Sequence, residues 1–213
     1  MNNLNYLNKY KLFIVDYDGT ILDSMRMWST LLSSFLKDNN IETDLDIDKL
    51  AVEQTNSESV EFMRNLFFKD LTFDELADKM YQYVKLQYVK QNLKNNANLL
   101  LEELKKNGRV VLFSATDLSL LNDSFKTNGV DKYFDYIYSA SNMGTSKTNG
   151  VGYIKVLEKE NIDIKDCLVV EDVMHAIKGA KYQNIDTLAI YDGQNHWNDI
   201  KEISTYNLNL EDL

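Results

Sequence analysis

The chain has 213 residues, 44% of them hydrophobic and 11% aromatic, which is enough for one core domain with an insertion. Its formal charge of −10 at pH 7 argues against nucleic acid and against an anionic membrane surface as partners. The single cysteine, Cys167, excludes an internal disulfide and a cysteine-rich zinc site. No apolar stretch is long enough to span a bilayer, and residues 1–5 lack a signal-peptide pattern, so we expect a cytoplasmic protein.

The first predicted element is a buried strand at residues 12–15, Leu-Phe-Ile-Val, which runs directly into Asp-Tyr-Asp-Gly-Thr at residues 16–20. Side chains two residues apart on an extended chain point to the same side, so Asp16 and Asp18 are expected to face one point. Two such acids repel each other unless a cation or a shared proton lies between them. Taken alone, the sequence Asp-x-Asp-Gly also fits an ordinary turn.

The next stretch, residues 24–95, is far longer than one connection between neighbouring strands and has a mostly helical pattern. Apolar stripes at helical spacing indicate packed helices, and Thr72 with Glu75 has the sequence of a capping box. We therefore expect an all-helical cap at 24–95. It should serve as a lid over the edge of the sheet where the first strand ends and where Asp16 and Asp18 lie. The core is then expected to comprise residues 1–23 and 96–213.

Four further apolar runs predict strands at residues 110–113, 136–138, 168–170 and 187–190. Helical patterns separate most of them, and two of the helices are expected to end at Gly108 and Gly129 as C-cap glycines. Strands that alternate with helices imply right-handed crossovers and a parallel sheet covered on both faces. The predicted fold is therefore an α/β, doubly wound, Rossmann-like core with an inserted helical cap.

Polar residues follow two of these strands, and one lysine lies in a polar segment between them. Ser114 ends the second strand, Lys147 lies in Ser-Lys-Thr-Asn-Gly, and Glu171 and Asp172 follow the fourth strand. Each has a plain structural interpretation: a helix N-cap for Ser114 and a solvated surface lysine for Lys147. Adjacent acids directly after an apolar strand are unusual as mere surface, because they crowd charge at one edge.

In this order, the four signals resemble the haloacid dehalogenase superfamily of phosphotransferases over about residues 10–192. Residues 12–20 resemble its first motif, Ser114 its second, Lys147 its third, and Glu171 with Asp172 its fourth. The resemblance is closest to the branch of β-phosphoglucomutase and phosphoglycolate phosphatase, whose helical cap also lies between the first two motifs. The chain departs from the family by having Lys-Thr-Asn-Gly for Lys-Pro-x-Pro, and Val173 where Ser or Thr is common.

The resemblance implies roles for the motif residues. Asp16 is the nucleophile that forms an aspartyl-phosphate, and Asp18 is the general acid and base. Mg²⁺ is held by Asp16, Asp172 and the main-chain carbonyl of Asp18. Lys147 supplies positive charge to the phosphate and to Asp16, and Glu171 orients a metal-bound water or Lys147.

The resemblance also predicts how the substrate is held. The expected phosphate-binding residues are Gly19, Thr20, Ser114, Ala115 and Lys147. The candidates for substrate specificity are Trp28, Gln54, Asn56 and Thr116. Residues 54–59 are expected to form a polar turn, with Ser57 as the plain helix N-cap alternative. The expected substrate is a small phosphorylated metabolite, and the expected state is a monomer or a weak homodimer.

Several functions remain open at this stage. A phosphosugar mutase is the second enzyme reading, but the first cap helix of such mutases carries a histidine, and the matching position here is Trp28 or a close neighbour. A dehalogenase is disfavoured because that branch lacks the second acid supplied by Asp18. A phospho-accepting receiver module is shorter and has no helical insertion. A binding-only member of the family is disfavoured because residues matching all four motifs are present.

Overall fold

A computed structural model describes residues 4–51, 54–193 and 196–213 of the chain. The chain divides into two compact units: Met1–Met25 with Gln91–Leu213, and Arg26–Lys90. Residues 1–3, which open the predicted core and the segment inspected for a signal peptide, lie outside the described residues. The units divide at 25/26 and 90/91, a few residues inside the predicted 24 and 95, because residues on both sides of the insertion are bonded to each other. Asp23 N–H donates to Asn92 C=O, and Lys94 N–H donates to Ile21 C=O.

The first unit is built on a six-stranded sheet in which every neighbouring pair is parallel. The strands are β1 Leu12–Val15, β2 Arg109–Ser114, β3 Tyr136–Ser139, β4 Cys167–Glu171, β5 Asp186–Ile190 and β6 Tyr206–Leu208. Their order in space is β3-β2-β1-β4-β5-β6. Because β1 lies between β2 and β4, the first, second and fourth motifs end on adjacent strands.

Most of the helices match an apolar pattern that predicted a helix in the sequence analysis. The helices are α1 Met25–Ser29, α2 Leu31–Asp38, α3 Ile47–Leu50, α4 Asn56–Phe67, α5 Phe73–Tyr88, α6 Ala97–Asn107, α7 Leu118–Asn128, α8 Val151–Glu160, α9 Met174–Tyr182 and α10 Trp197–Ile203. The prediction of a doubly wound α/β fold is confirmed. No helix in the described part of the chain combines the length and apolarity that crossing a bilayer requires.

The glycines at two predicted helix ends, Gly108 and Gly129, differ in backbone conformation. Gly129 follows α7 in the left-handed conformation, with φ +63°, as expected for a C-cap glycine. Gly108 is the C-cap of α6, as predicted, but its backbone is extended, with φ −175°. Its glycine is needed for space, because a Cβ there would lie 2.6 Å from the Lys11 carbonyl oxygen.

The helical unit has an apolar core of its own. Its buried residues are Leu32, Phe35, Leu36, Ile47, Val60, Met63, Leu76 and Met80. The capping box of Thr72 and Glu75 at the start of α5 is confirmed. A second capping box, of Thr55 and Glu58, begins α4. The N-cap of α4 is therefore Thr55 and not Ser57, and most of the predicted polar turn is the first turn of this helix.

Candidate active site

The first-motif turn, residues 16–24, leaves β1 and folds back on itself. The N–H groups of Ile21 and Leu22 both donate to the Tyr17 carbonyl, and Gly19 N–H donates to the Leu22 carbonyl. Gly19 has φ +76°, a left-handed conformation that favours glycine. A Cβ at Gly19 would overlap the Asp172 carboxylate. The glycine therefore lets the turn lie directly against the acid that follows β4.

Three buried carboxylates meet where β1 and β4 end. One oxygen from each of Asp16, Glu171 and Asp172 lies within 4.8 Å of the others. Lys147 is also buried; its ammonium pairs with Asp16 Oδ1 and lies 2.6 Å from Glu171 Oε1. The alternative of a solvated surface lysine is therefore wrong, and the tertiary fold brings the third motif to the first and fourth.

Burial and mutual repulsion make this cluster costly to ionise. Desolvation, with Glu171 and Asp18 adding to it against Lys147, raises the pKa of Asp16 from 3.8 to about 8. Desolvation and the charges of Glu171 and Asp16 raise the pKa of Asp172 well above its usual value. Burial by itself lowers the pKa of Lys147, but Asp16 and Glu171 outweigh it and raise the net value. One lysine therefore compensates only part of the charge of three acids.

Glu171 is held from several sides. Besides Lys147, the Tyr153 hydroxyl lies 3.3 Å from Glu171 Oε1. The backbone N–H groups of Asp172 and Val173 donate to Glu171 Oε2 over 3.1 and 3.3 Å. The departure from Ser or Thr at Val173 thus leaves the backbone N–H of this position bonded to Glu171. These bonds agree with the expectation that Glu171 orients Lys147.

The loop that carries Lys147 is positioned by a pair of glycines. Gly150 N–H donates to the Lys147 carbonyl over 3.0 Å, and Gly150 has φ +75°. A Cβ at Gly150 would overlap the Gly179 carbonyl oxygen on α9, and a Cβ at Gly179 would overlap the Lys147 carbonyl oxygen. The chain therefore holds its Lys-Thr-Asn-Gly loop by close backbone packing against α9, in place of the prolines of the family pattern.

Two hydroxyls hold the Asp18 carboxylate. Ser24 Oγ donates to Asp18 Oδ1 over 2.6 Å, and Thr116 Oγ1 donates to Asp18 Oδ2 over 2.7 Å. The Thr116 hydroxyl thus contacts the proposed acid, and the role of Thr116 in substrate specificity stays a prediction. The Thr116 N–H donates to Ser114 Oγ over 3.0 Å. The N-cap of α7 is Asp117, which accepts from Ser119 N–H, so the N-cap alternative for Ser114 is wrong.

The predicted phosphate-binding residues differ in their surroundings. Thr20 donates its hydroxyl to Asp172 Oδ1 over 2.8 Å, so this side chain orients an acid, and its role in phosphate binding stays a prediction. Ser114 is buried at the end of β2, and Ala115, which follows it, is exposed. Gly19 is buried in the first-motif turn.

Three predicted specificity residues belong to other parts of the chain from the acidic cluster. Trp28 lies on α1, with its ring 5.8 Å from that of Tyr88. Gln54 precedes the N-cap of α4, and Asn56 is the first residue of this helix and is exposed. All three residues belong to the helical unit. Their role in substrate specificity stays a prediction.

Sequence reasoning missed two side chains. Tyr153 was assigned only to a helix stripe, and its hydroxyl reaches Glu171. Lys94 was placed at the end of the insertion, and its ammonium lies 2.7 Å from the Gly19 carbonyl oxygen. A helix stripe does not distinguish Tyr from Phe, and one lysine in a polar linker has no local signal, so only the fold could have found either one.

The donor set of the cluster fits a hard cation. Asp16, Glu171 and Asp172 offer carboxylate oxygens, the ligands that Mg²⁺ prefers. The chain's two histidines, His175 and His196, are exposed, and neither belongs to the group of described residues that could hold a metal ion. The residues present therefore fit Mg²⁺, and the deficit of positive charge around them favours a divalent ion.

A doubly wound parallel sheet with a cluster of acids and a lysine at its carboxyl edge defines an α/β enzyme with its chemistry at the strand ends. The sequence model for haloacid dehalogenase-like hydrolases matches residues 13–190. The chain therefore belongs to the haloacid dehalogenase-like hydrolase family, and the resemblance found in its motifs is confirmed. The prediction of a phosphatase-type hydrolase is confirmed at the level of this family.

Relatives agree with this assignment. A phosphoglycolate phosphatase of Colwellia psychrerythraea is 23% identical over 207 residues, covering 92% of this chain and 91% of the relative. A "putative beta-phosphoglucomutase" of Thermotoga maritima has a TM-score of 0.81 at 16% identity, with 95% of both chains covered. The magnesium-bound "putative HAD-hydrolase YfnB" of Bacillus subtilis has a TM-score of 0.72 at 18% identity, with 96% of both chains covered. At these identities the two structures show a shared fold.

Proposed function

We propose that the chain is a Mg²⁺-dependent phosphatase that hydrolyses a small phosphorylated metabolite through an aspartyl-phosphate on Asp16. The observation that carries this proposal is the convergence of Asp16, Lys147, Glu171 and Asp172 at one edge of the sheet. The curated relative that acts on phosphoglycolate supports a phosphate monoester as substrate. The magnesium-bound structural relative supports the choice of metal.

The proposed chemistry begins at Asp16. Its carboxylate oxygen attacks phosphorus and forms an acyl phosphate, while the bond from phosphorus to the leaving oxygen breaks. Lys147 pairs with the same carboxylate and opposes the rise of its pKa caused by burial, and its charge also attracts the phosphate. Ser114 and the backbone N–H groups near Gly19 and Ala115 are the proposed donors to the other phosphoryl oxygens.

Asp18 handles the protons in this mechanism. It gives a proton to the leaving oxygen, and in the second half of the reaction it takes one from the attacking water. Ser24 and Thr116 donate to its two oxygens and so restrict its rotamer. Asp18 lies outside the group of three described acids that could share a metal ion, which suits a side chain whose proposed task is proton transfer.

The residues proposed to hold Mg²⁺ are Asp16, Asp172 and the main-chain carbonyl of Asp18. When bound there, the ion supplies positive charge for the phosphoryl oxygens and relieves the repulsion between the acids. Thr20 orients Asp172 through its hydroxyl, and Glu171 holds Lys147. These supporting contacts fix the direction of the groups that face the ion.

The test is turnover of a generic aryl phosphate with and without Mg²⁺. We expect activity that requires Mg²⁺ and disappears with a chelator, together with an acid-stable phosphoryl label on the protein after a rapid quench. The label should be absent from Asp16→Asn. Turnover at the wild-type rate by Asp16→Asn would sink the aspartyl-phosphate mechanism. A panel of metabolites that starts with phosphoglycolate then identifies the substrate, and isomerisation of a sugar phosphate without phosphate release would point to a mutase instead.

The helical unit is proposed to set specificity, and Gln54 and Asn56 allow a test. Substituting both by Ala should change the preferred metabolite and spare the small aryl phosphate. Both residues lie outside the Thr55–Glu58 capping box, so the helix start is preserved, and Thr55→Ala is the control for damage to the helix. Equal losses of activity on both substrates, or unchanged selectivity, would show that these residues do not determine substrate specificity.

A further inference from the structure

The feature that the proposed mechanism does not use is the short segment 91–94, where the chain re-enters the sheet-containing unit. Its backbone pairs with the end of the first-motif turn. Asp23 N–H donates to the Asn92 carbonyl, Lys94 N–H donates to the Ile21 carbonyl, and both bonds are 2.9 Å long. Leu22 and Leu93 form an antiparallel bridge between them. Lys94 is thus held by its own backbone beside this turn.

The side chain of Lys94 reaches two loops at once. Its ammonium donates to the Gly19 carbonyl over 2.7 Å and to the Tyr191 carbonyl over 2.6 Å. Gly19 follows β1 and Tyr191 follows β5, and β4 lies between these two strands. Lys94 therefore joins the loops on either side of the strand that ends in Glu171 and Asp172.

A continuous path of contacts leads from this lysine to the acid cluster. The Gly19 carbonyl belongs to the same peptide group as the N–H of Thr20, and a peptide group is planar. Thr20 in turn donates its hydroxyl to Asp172 Oδ1. Fixing the Gly19 carbonyl therefore fixes the peptide that presents the Thr20 hydroxyl to Asp172.

The charges that face Lys94 come from three acids. Burial lowers the pKa of Lys94, and the charges of Asp172, Asp192 and Asp23 oppose that effect. A lysine ammonium has three donors and no acceptor, so two backbone carbonyls and acidic neighbours suit it. The positive charge also lies close enough to Asp172 to repel a divalent ion bound there.

We propose that Lys94 is a positioning residue of the metal site, which holds the Gly19 and Tyr191 loops together so that Thr20 and Asp172 keep their places for Mg²⁺. This inference rests on the proposed function for its metal. The direction of the change in Mg²⁺ affinity on removing the ammonium tests the proposal. Loss of the charge alone would tighten Mg²⁺ binding, since a repelling ammonium is removed, whereas loss of the clamp weakens binding, since the ligands lose their support.

The test compares Lys94→Met with Lys90→Met in the full chain, with Mg²⁺ binding measured by calorimetry in the absence of substrate. Methionine keeps most of the apolar stem and removes the ammonium. Lys90 is a matched control because it lies nearby in sequence, is exposed, and its ammonium reaches only the Gln87 side chain among the bonds described. We expect about 10-fold weaker Mg²⁺ binding for Lys94→Met, within the range found for outer-shell residues of metal sites, and an unchanged affinity for Lys90→Met.

A structural role alone would lower the melting temperature and leave the Mg²⁺ affinity of the folded protein unchanged. That result, or tighter binding, would overturn the proposal. Thr20→Val supplies a second check: if Lys94 acts through the Gly19–Thr20 peptide, the losses in Mg²⁺ affinity from the two substitutions are not additive. Additive losses would contradict this route.

If Lys94→Met does not fold, Lys94→Gln removes the charge and carries its amide N–H groups on a side chain one atom shorter, too short to bond both the Gly19 and the Tyr191 carbonyls as lysine does. It is then expected to bind Mg²⁺ more weakly than the wild type, and binding at the wild-type affinity or tighter would reject the clamp. The outcome is separable from that of the proposed function. A wild-type protein that binds Mg²⁺ and hydrolyses no phosphate monoester would end the phosphatase proposal, while the binding comparison would still decide the role of Lys94.

Discussion

Two polar clusters lie at opposite ends of the same sheet, and they are built differently. Where β5 begins, Asp186 accepts from the Tyr10 hydroxyl over 2.7 Å and from Thr205 Oγ1 over 3.0 Å. Where β1 and β4 end, Asp16, Glu171 and Asp172 lie together with Lys147 as their shared ammonium. The first cluster gives one acid two hydroxyl donors, and the second leaves a surplus of negative charge.

The two clusters also differ in how burial acts on their titratable groups. Burial and the hydrogen bonds with Tyr206 and Asp186 raise the pKa of Tyr10 above its usual value, so the phenol remains a donor to Asp186. In the other cluster, burial and neighbouring acids raise the pKa values of Asp16 and Asp172. Buried charge that its neighbours do not compensate is expensive to keep, and a bound divalent cation is the simplest reason for a chain to retain it.

The same substitution in both clusters should give the largest contrast. Asp16→Asn removes the proposed nucleophile, and we expect turnover to fall by at least about 10⁴-fold. Asp186→Asn should leave turnover unchanged and lower the unfolding free energy by about 1–3 kcal/mol through the weakened hydrogen bonds. Steady-state kinetics and urea unfolding on both variants measure this. If Asp186→Asn lost activity while remaining folded, the division between the two clusters would be wrong.

Substitutions of the two acids of the first motif should also have different effects on Mg²⁺ binding. Asp18→Asn keeps the backbone carbonyl proposed for Mg²⁺ and removes the proton carrier, so turnover should fall about 10²–10⁴-fold. Mg²⁺ affinity, measured by calorimetry, should stay close to that of the wild type. Loss of the metal with chemistry preserved in excess Mg²⁺ would reverse the assignment of roles. Thr116→Val is the milder companion, because it removes one of the hydroxyls that hold this carboxylate.

Adding Mg²⁺ should stabilise the protein in a pH-dependent way. Burial, with the charges of neighbouring acids adding to it against Lys147, raises the pKa of Asp16 from its ordinary value of 3.8 to about 8. Between about pH 4 and 8, the folded chain holds a proton that the unfolded chain has released, so the unfolding free energy falls as the pH rises. Mg²⁺ needs the ionised acids, so its stabilisation should grow over this range, reaching about 2.7 kcal/mol at a concentration 100-fold above Kd.

Thermal unfolding with and without Mg²⁺ at several pH values checks this dependence. Asp172→Asn is the matched variant: it removes a proposed ligand and should lose the Mg²⁺-dependent shift in melting temperature. Asp186→Asn should keep the whole shift. Equal shifts in Asp172→Asn and the wild type would place the metal elsewhere in the chain.

The smallest expected effect belongs to the opposite cluster. Tyr10→Phe removes one hydroxyl donor from Asp186 and should lower the unfolding free energy by about 1 kcal/mol, with turnover and Mg²⁺ affinity unchanged. Urea unfolding followed by circular dichroism measures this loss. A larger loss accompanied by weaker Mg²⁺ binding would mean that the two ends of the sheet are coupled.

The amino-acid sequence by itself determined the local features of this protein. An apolar run marks β1, and cap chemistry marks the capping box at Thr72 and the C-cap at Gly129. Each of these features depends only on residues that are close to one another in the sequence. The four motifs could also be identified, because three of them combine a strand end with a characteristic residue type and the remaining one is a lysine in a polar segment between strands. The three-residue β6 and the helix α10 before it were not predicted, since so short a strand has too few residues to show a pattern.

Only the tertiary structure decided which side chains meet. Strand order places β4 beside β1, and no spacing along the chain reveals that order. For the same reason, the sequence did not reveal that Thr20 holds Asp172 or that Thr116 holds Asp18, and Lys94 was not noticed. A hydroxyl or an ammonium binds whichever acceptor the fold brings within about 3 Å, and that distance is set by packing between segments far apart in sequence.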